Sequence, residues 1–264
     1  MAASLIASCR RAARHPQEGR RWLELIVHPR DVAVAASSTR HAIAGAVATH
    51  AVDVLQLRAT FGDSDDDVRK AAEELHRLLS KGSSSCRLVV NHPSLDVVAG
   101  LGACDGWHLK EHVMLALVGD GTLSDVLHHA REKLGSESLL GCSVHSVDSA
   151  LAAMRGSGFD YLQVGTMFST PSHPEKRFSH QLEGPTLITA IREAALASGA
   201  RHVPAMIAVG GVNTVEHIAQ VLDADADGVA MIRGLLGARD PPMAARQYRA
   251  CLDERRCRVP PHAT

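Results

Sequence analysis

Four times along the chain an acidic residue is followed at once by a short apolar run. The segments are Asp53-Val-Leu-Gln-Leu-Arg58, Asp105-Gly-Trp-His-Leu109, Asp160-Tyr-Leu-Gln-Val-Gly165 and Asp227-Gly-Val-Ala-Met-Ile232. They recur roughly 50 to 70 residues apart, too far for one strand-plus-helix unit and suited to two. The gaps contain further runs of strand length: Leu23 to Val27, Arg87 to Asn91, Leu139 to His145 and Ala205 to Val209. That makes eight strands. Between them, Asp66 to Leu79, Leu123 to Leu134, Val147 to Met154, Leu187 to Leu196 and Val215 to Leu222 repeat apolar residues at spacings of three and four, the helical period. Ser146 and Asn213 are placed to cap two of these helices.

Alternating strands and helices imply a parallel sheet, and eight such units favour closure into a (β/α)8 or TIM barrel. The α/β reading covers residues 22–255 as a single domain, with no interdomain linker. Residues 1–21 form a basic extension carrying five arginines and one acid, Glu18. It reads either as an organelle transit peptide or as a basic tail. The expected location is accordingly the cytoplasm, or a plastid or mitochondrion if the extension is a transit peptide. Residues 256–264 are a short tail.

Composition narrows the function. Of 264 residues, 45% are hydrophobic and 22% charged, enough to bury a large core. A net charge of -1 and 3% aromatics give neither the basic face nor the stacking platforms of a nucleic-acid partner. No apolar run reaches the roughly 18 residues of a membrane span. The six cysteines contain no CxxC pair, so the spacing offers no zinc site, and a reducing compartment fits. A homo-oligomer is compatible with all of this.

Strand side chains alternate, so parity identifies the barrel interior. If Leu55 and Leu57 face the helices, Val54, Gln56 and Arg58 point inward. The same rule turns Gly106 and His108, then Gly141, Ser143 and His145, then Tyr161, Gln163 and Gly165 to the inside. Arg58 is either half of an internal ion pair or an anion ligand. Gly210 and Gly211 after strand seven, with Arg233 and Gly234 after strand eight, are either tight turns or the phosphate-binding turns common at this end of the fold. His145 is a candidate proton shuttle by its neutral-range chemistry, and His108 a packed residue or substrate contact. His128 and His129 read as solvated. The long polar loop from Gly165 to Gly184 offers Thr170, Ser172, His173 and Lys176 as phosphate donors.

Taken together, LQLR, VVNHPSLDVVAGLGACDGWHL, LLGCSVHS, DYLQVGTMFSTPSHP, AMIAVGGVN and DGVAMIRG resemble the thiamine phosphate synthase and TenI (thiazole tautomerase) superfamily, in its order and spacing, from about Leu23 to Asp240. The resemblance implies a (β/α)8 enzyme of thiamine biosynthesis that binds a thiazole phosphate. It puts Gln56, Arg58, Asn91 and Ser143 at the pyrimidine and pyrophosphate contacts. Thr170, Ser172, Gly211, Ile232 and Arg233 fall near the thiazole phosphate, and His145 on the tautomerase histidine.

Departures from the synthase pattern separate the branches. A lysine becomes Thr60, an aspartate after strand three becomes His92, a second aspartate is replaced at His112-Val113, and the loop lysine becomes His173. The two missing aspartates are the synthase magnesium ligands, and magnesium needs hard oxygen donors. The expectation is therefore a metal-independent thiazole phosphate tautomerase, with His145 and Ser143 catalytic and no cofactor. The substrate-binding set is Gln56, Arg58, Asn91, His108, Gln163, Thr170, Ser172, His173, Gly210, Gly211, Ile232, Arg233 and Gly234. A divergent magnesium-dependent synthase, for which Glu111 offers one carboxylate, and a silent phosphate-ligand binder with a regulatory role are the alternatives.

Overall fold

The computed structural model describes residues 20–33, 38–81, 85–156, 158–171, 175–176 and 181–254. Eight parallel strands close in chain order: β1 (Trp22–Val27), β2 (Val54–Arg58), β3 (Arg87–Asn91), β4 (Gly106–Leu109), β5 (Leu139–Val144), β6 (Tyr161–Val164), β7 (Ala205–Val209) and β8 (Gly228–Met231). Around them lie α1 (Pro29–Ala33), α2 (Ser38–Ala48), α3 (Asp65–Lys81), α4 (Leu95–Gly100), α5 (Glu111–Gly119), α6 (Leu123–Leu134), α7 (Val147–Arg155), α8 (Thr186–Ala197), α9 (Val215–Asp223), α10 (Arg233–Leu236) and α11 (Pro241–Glu254). No described helix is long and apolar enough to cross a membrane.

The four acids of the repeat each stand one residue ahead of an even strand, and each does the same work. The side chains of Asp53, Asp105, Asp160 and Asp227 accept the N–H groups of Leu23, Leu88, Leu140 and Met206, at 2.7, 2.8, 2.7 and 2.8 Å. These donors are the second residues of the preceding odd strands. The backbone carbonyl of each acid accepts from the first residue of the next odd strand, namely Arg87, Leu139, Ala205 and, closing the circle, Trp22. Each aspartate thus couples two strands that do not pair directly. Arg249, Arg131 and Arg192 neutralise Asp53, Asp160 and Asp227 at 2.8, 2.9 and 2.6 Å.

Leucine and valine on the other strand parity pack outward against helical stripes such as Val68, Ala71, Ala72, Leu75 and Leu79 of α3. Ser146 caps α7 through a capping box. The cap of α9 is Thr214 rather than Asn213: the Thr214 hydroxyl accepts from His217 N–H at 3.2 Å, and Asn213 N–H instead faces the His217 ring. His128 and His129 are exposed beside Glu132.

Inside the barrel, Trp22 and Tyr161 pack with ring centroids 5.2 Å apart. Gly141 admits the tyrosine, since a Cβ there would lie 2.3 Å from its ring. Above them, fully buried Glu24 accepts from both Gln56 and Gln163 at 2.9 Å through Oε1. Burial pushes its carboxyl up from 4.5 to about 8, against the lowering effect of the Gln163 bond.

Between those two values the folded protein keeps a proton that the unfolded chain has released. Stability should therefore fall as pH climbs from about 4.5 through 8. Glu24→Gln, which mimics the protonated form, should flatten this slope and exceed the unaltered protein by roughly a few kcal/mol at pH 9. Urea unfolding at stepped pH reads this, and parallel curves for the two proteins would refute it.

Candidate functional site

The C-terminal ends of the strands surround a cleft enclosing about 760 Å³ of empty space, part of it open to solvent. Parity determines who reaches it. Arg58 ends β2, Asn91 ends β3, Lys110 follows β4, and Ser143 and His145 lie at the end of β5. Gln163, Thr170, Gly210, Gly211, Ile232 and Arg233 complete the expected residues on its wall. The described lining holds three cations, Arg58, Lys110 and Arg233, and no carboxylate.

One end of the cleft is built from the turns after β7 and β8. Gly210 and Gly211 have φ of +91° and +73°, a region that disfavours a side chain. A Cβ on Gly211 would lie 2.4 Å from the Phe168 carbonyl oxygen, because the loop after β6 runs directly over the turn. Met167 and Phe168 N–H groups bond the carbonyls of Val209 and Gly210 at 3.0 and 2.9 Å, and the Phe168 ring stacks on His217 at 4.0 Å. Arg233 Nη2 donates to Thr170 Oγ1 at 2.8 Å. Tyr248 of α11 supports both turns, its hydroxyl lying 2.8 Å from Asn213 O and 3.2 Å from Gly234 O. Gly234 itself is not on the wall; a Cβ there would lie 2.9 Å from Met231 Sδ and 3.2 Å from Asn213 Cα.

The opposite end carries Arg58 and Lys110. Neither has an ion-pair partner among the described residues. Burial lowers the pKa of both, and Arg58 lowers that of Lys110 further, against the pull of Asp63. Arg58 is thus not half of an internal ion pair. An unpaired, half-buried guanidinium is costly to retain and is suited to an anion.

His145 sits between these ends. Its Nδ1 hydrogen-bonds the Gly165 carbonyl oxygen and lies 3.5 Å from Glu183 Oε1. Both neighbours only accept, so the neutral ring carries its proton on Nδ1 and presents the lone pair of Nε2, which has no protein partner among the described residues. Glu183 accepts from Lys176 and, at 2.6 Å, from Thr166 N–H. Burial would raise its pKa, but these hydrogen bonds outweigh that and hold the carboxyl low.

Two expected contacts lie a layer deeper. Gln56 and His108 are both 0% exposed. Gln56 holds Glu24, while His108 bridges Tyr161 Oη at 3.0 Å and Ser143 Oγ at 2.9 Å. Burial and Arg58 drive the His108 pKa down to about 3, so it is neutral. Ser172 and His173 lie outside the described residues. Lys110, Thr166, Glu183 and Tyr248 were not anticipated as site residues. The 106-108-110 parity already pointed to Lys110, whereas nothing local in the sequence marks the other three.

No described group of three or more His, Cys, Asp and Glu side chains is arranged to hold a metal. The acids near the mouth are engaged elsewhere. Glu111 accepts from His145 N–H at 2.8 Å, Asp63 from Thr60 N–H and hydroxyl at 2.7 Å each, and Asp65 lies 3.3 Å from His92.

A family model described as thiamine monophosphate synthase matches residues 23–235. The thiamine-phosphate synthase of Chloroflexus aurantiacus is 31% identical over 221 residues, covering 83% of this chain and 88% of that protein. That of Natronomonas pharaonis is 34% identical over 196 residues, covering 74% and 79%. Among solved structures, thiamine phosphate pyrophosphorylase from Pyrococcus furiosus superposes with a TM-score of 0.63 at 20% identity, over 90% of this chain and 98% of that one. At that identity the likeness speaks for the fold.

Gly211→Ala should weaken binding of inorganic phosphate at least about tenfold, since the new methyl meets backbone and the turn must move. Gly121→Ala, also at positive φ but with open space around it, should leave binding unchanged. Titration calorimetry on both variants separates local strain from loss of the turn, and equal affinities would refute the assignment.

Proposed function

The chain belongs to the thiamine monophosphate synthase family, and on that premise we propose that its cleft takes a thiazole phosphate and moves a proton within it, without a metal. The observation that carries this reading is the lining: three cations and no carboxylate. The phosphate is assigned to the turns after β7 and β8, with Arg233. A second anionic group, such as a ring carboxylate, is assigned to Arg58 and Lys110.

His145 then acts on the ring between them. Nε2 takes a proton from one position of the non-aromatic tautomer and returns it at another, so no net proton is consumed. Gly165 O and Glu183 stabilise the imidazolium in the interval, in the manner of a base oriented by an acceptor behind it. General acid–base transfer of this kind contributes about 10²–10⁴-fold.

The second reading is the coupling of a pyrimidine pyrophosphate to the thiazole phosphate, and the names of the relatives favour it over the first. The residues present do not fit a magnesium site: His92 and His112-Val113 stand where the resembling synthases carry acids, and no described group of three or more acids, histidines and cysteines is gathered to hold a metal. In this reading Arg58 and Lys110 would carry the pyrophosphate charge instead.

The purified protein decides between them when given the thiazole carboxylate phosphate tautomer and, separately, pyrimidine pyrophosphate plus thiazole phosphate. Aromatisation that survives EDTA and falls at least about 100-fold in His145→Ala is the expected result. Magnesium-dependent pyrophosphate release would overturn it in favour of coupling. Thiazole phosphate binding with neither turnover would leave a regulatory binder. Lys110→Met should independently weaken inorganic pyrophosphate binding in EDTA by about tenfold, comparable to losing a desolvated charge contact. Unchanged affinity would remove Lys110 from the site.

A further inference from the structure

Beneath the cleft floor a chain of three side chains runs inward from Ser143. Ser143 Oγ lies 2.9 Å from His108 Nε2, and His108 Nδ1 lies 3.0 Å from Tyr161 Oη. Tyr161 and His108 are both 0% exposed, so every proton in the chain must find an acceptor inside the protein. We propose that Tyr161 and His108 are positioning residues that fix the Ser143 hydroxyl as a hydrogen-bond donor to the bound ligand. The proposal rests on Ser143 lining the cleft and not on which reaction the cleft performs.

The direction follows from counting donors. The imidazole is neutral, with burial as the main cause, so one nitrogen donates and the other accepts. If Nδ1 carried the proton, it would donate to the tyrosine oxygen, and the phenolic proton would then need another acceptor. Gln56 is the other side chain hydrogen-bonded to Tyr161, and it is the donor, because its bond lowers the phenol's pKa against the upward push of burial; it offers the phenolic proton no acceptor, and Gln56 Oε1 makes no hydrogen bond. A buried donor left unpaired costs about 1–3 kcal/mol. The alternative leaves no proton of the three side chains without an acceptor. Tyr161 donates to Nδ1, His108 donates from Nε2 to Ser143 Oγ, and the serine proton is left for the cleft.

Glu24 anchors the same layer. By accepting from both Gln56 and Gln163 it orients their amides, and Gln163 also lines the cleft. The ligand atom facing Ser143 must then be an acceptor: a phosphate or carboxylate oxygen, or an unprotonated ring heteroatom. His108 takes no part as a base; it relays orientation.

The test needs no ligand for its first arm. In protein labelled with ¹⁵N-histidine, and with His108 assigned by comparison with His108→Asn, the ¹⁵N shifts should report a neutral ring protonated on Nε2. Tyr161→Phe keeps the ring against Trp22 and should change that tautomer balance. A ring protonated on Nδ1 in the unaltered protein would overturn the proposal. In the second arm, the probe is 4-methyl-5-hydroxyethylthiazole phosphate. Ser143→Ala and Tyr161→Phe should each weaken it about 3- to 10-fold, and the double variant no more than Ser143→Ala alone. Losses that multiply would show that Tyr161 does not act through Ser143, and would also overturn it. If the probe fails to bind the unaltered protein, the reading of the ligand falls while the tautomer still decides this proposal.

Discussion

The barrel depends on one repeated interaction: an aspartate carboxylate accepting the N–H of the strand before it, while its own carbonyl accepts from the strand after it. Four such residues close the floor as a ring. A parallel barrel leaves strand-start N–H groups that need acceptors, and a charged acceptor makes the stronger bond. With the floor fixed, the register of all eight strands is fixed, and the mouth is assembled from residues that share no sequence neighbourhood.

From that frame the interior sorts by height. Aromatic packing fills the bottom, a glutamate with two glutamines and the Tyr161–His108 pair occupies the middle, and cations crowd the top. The polar middle layer is expensive, as the upward shift of Glu24 shows, yet it orients groups that face the ligand. The cost of the interior and the order of the cleft have the same source.

Much of this was legible in the chain itself. The acid-then-apolar repeat located the even strands to within a residue, and alternation correctly turned Arg58, Ser143, His145 and Gln163 to the inside. What parity could not supply was height. Gln56 and His108 face inward as expected but sit below the cleft, because strand stagger in a closed barrel sets depth independently of facing. Lys110 was reachable by the same rule and falls one position past the strand end. Glu183 reaches His145 from the far side of a long loop, and Tyr248 reaches two turns from a helix well downstream; such contacts leave no periodic trace. The cap of α9 was misplaced by one residue because Asn213 and Thr214 are both competent caps, and only the backbone geometry chooses between them.

The neighbours Tyr248 and Arg249 lie on one turn of α11. The first supports the two mouth turns, and the second neutralises Asp53 on the floor. Synthesis delivers these residues after all eight strands. The ties that this one helical turn makes to both ends of the barrel can therefore form only after all eight strands have been synthesised.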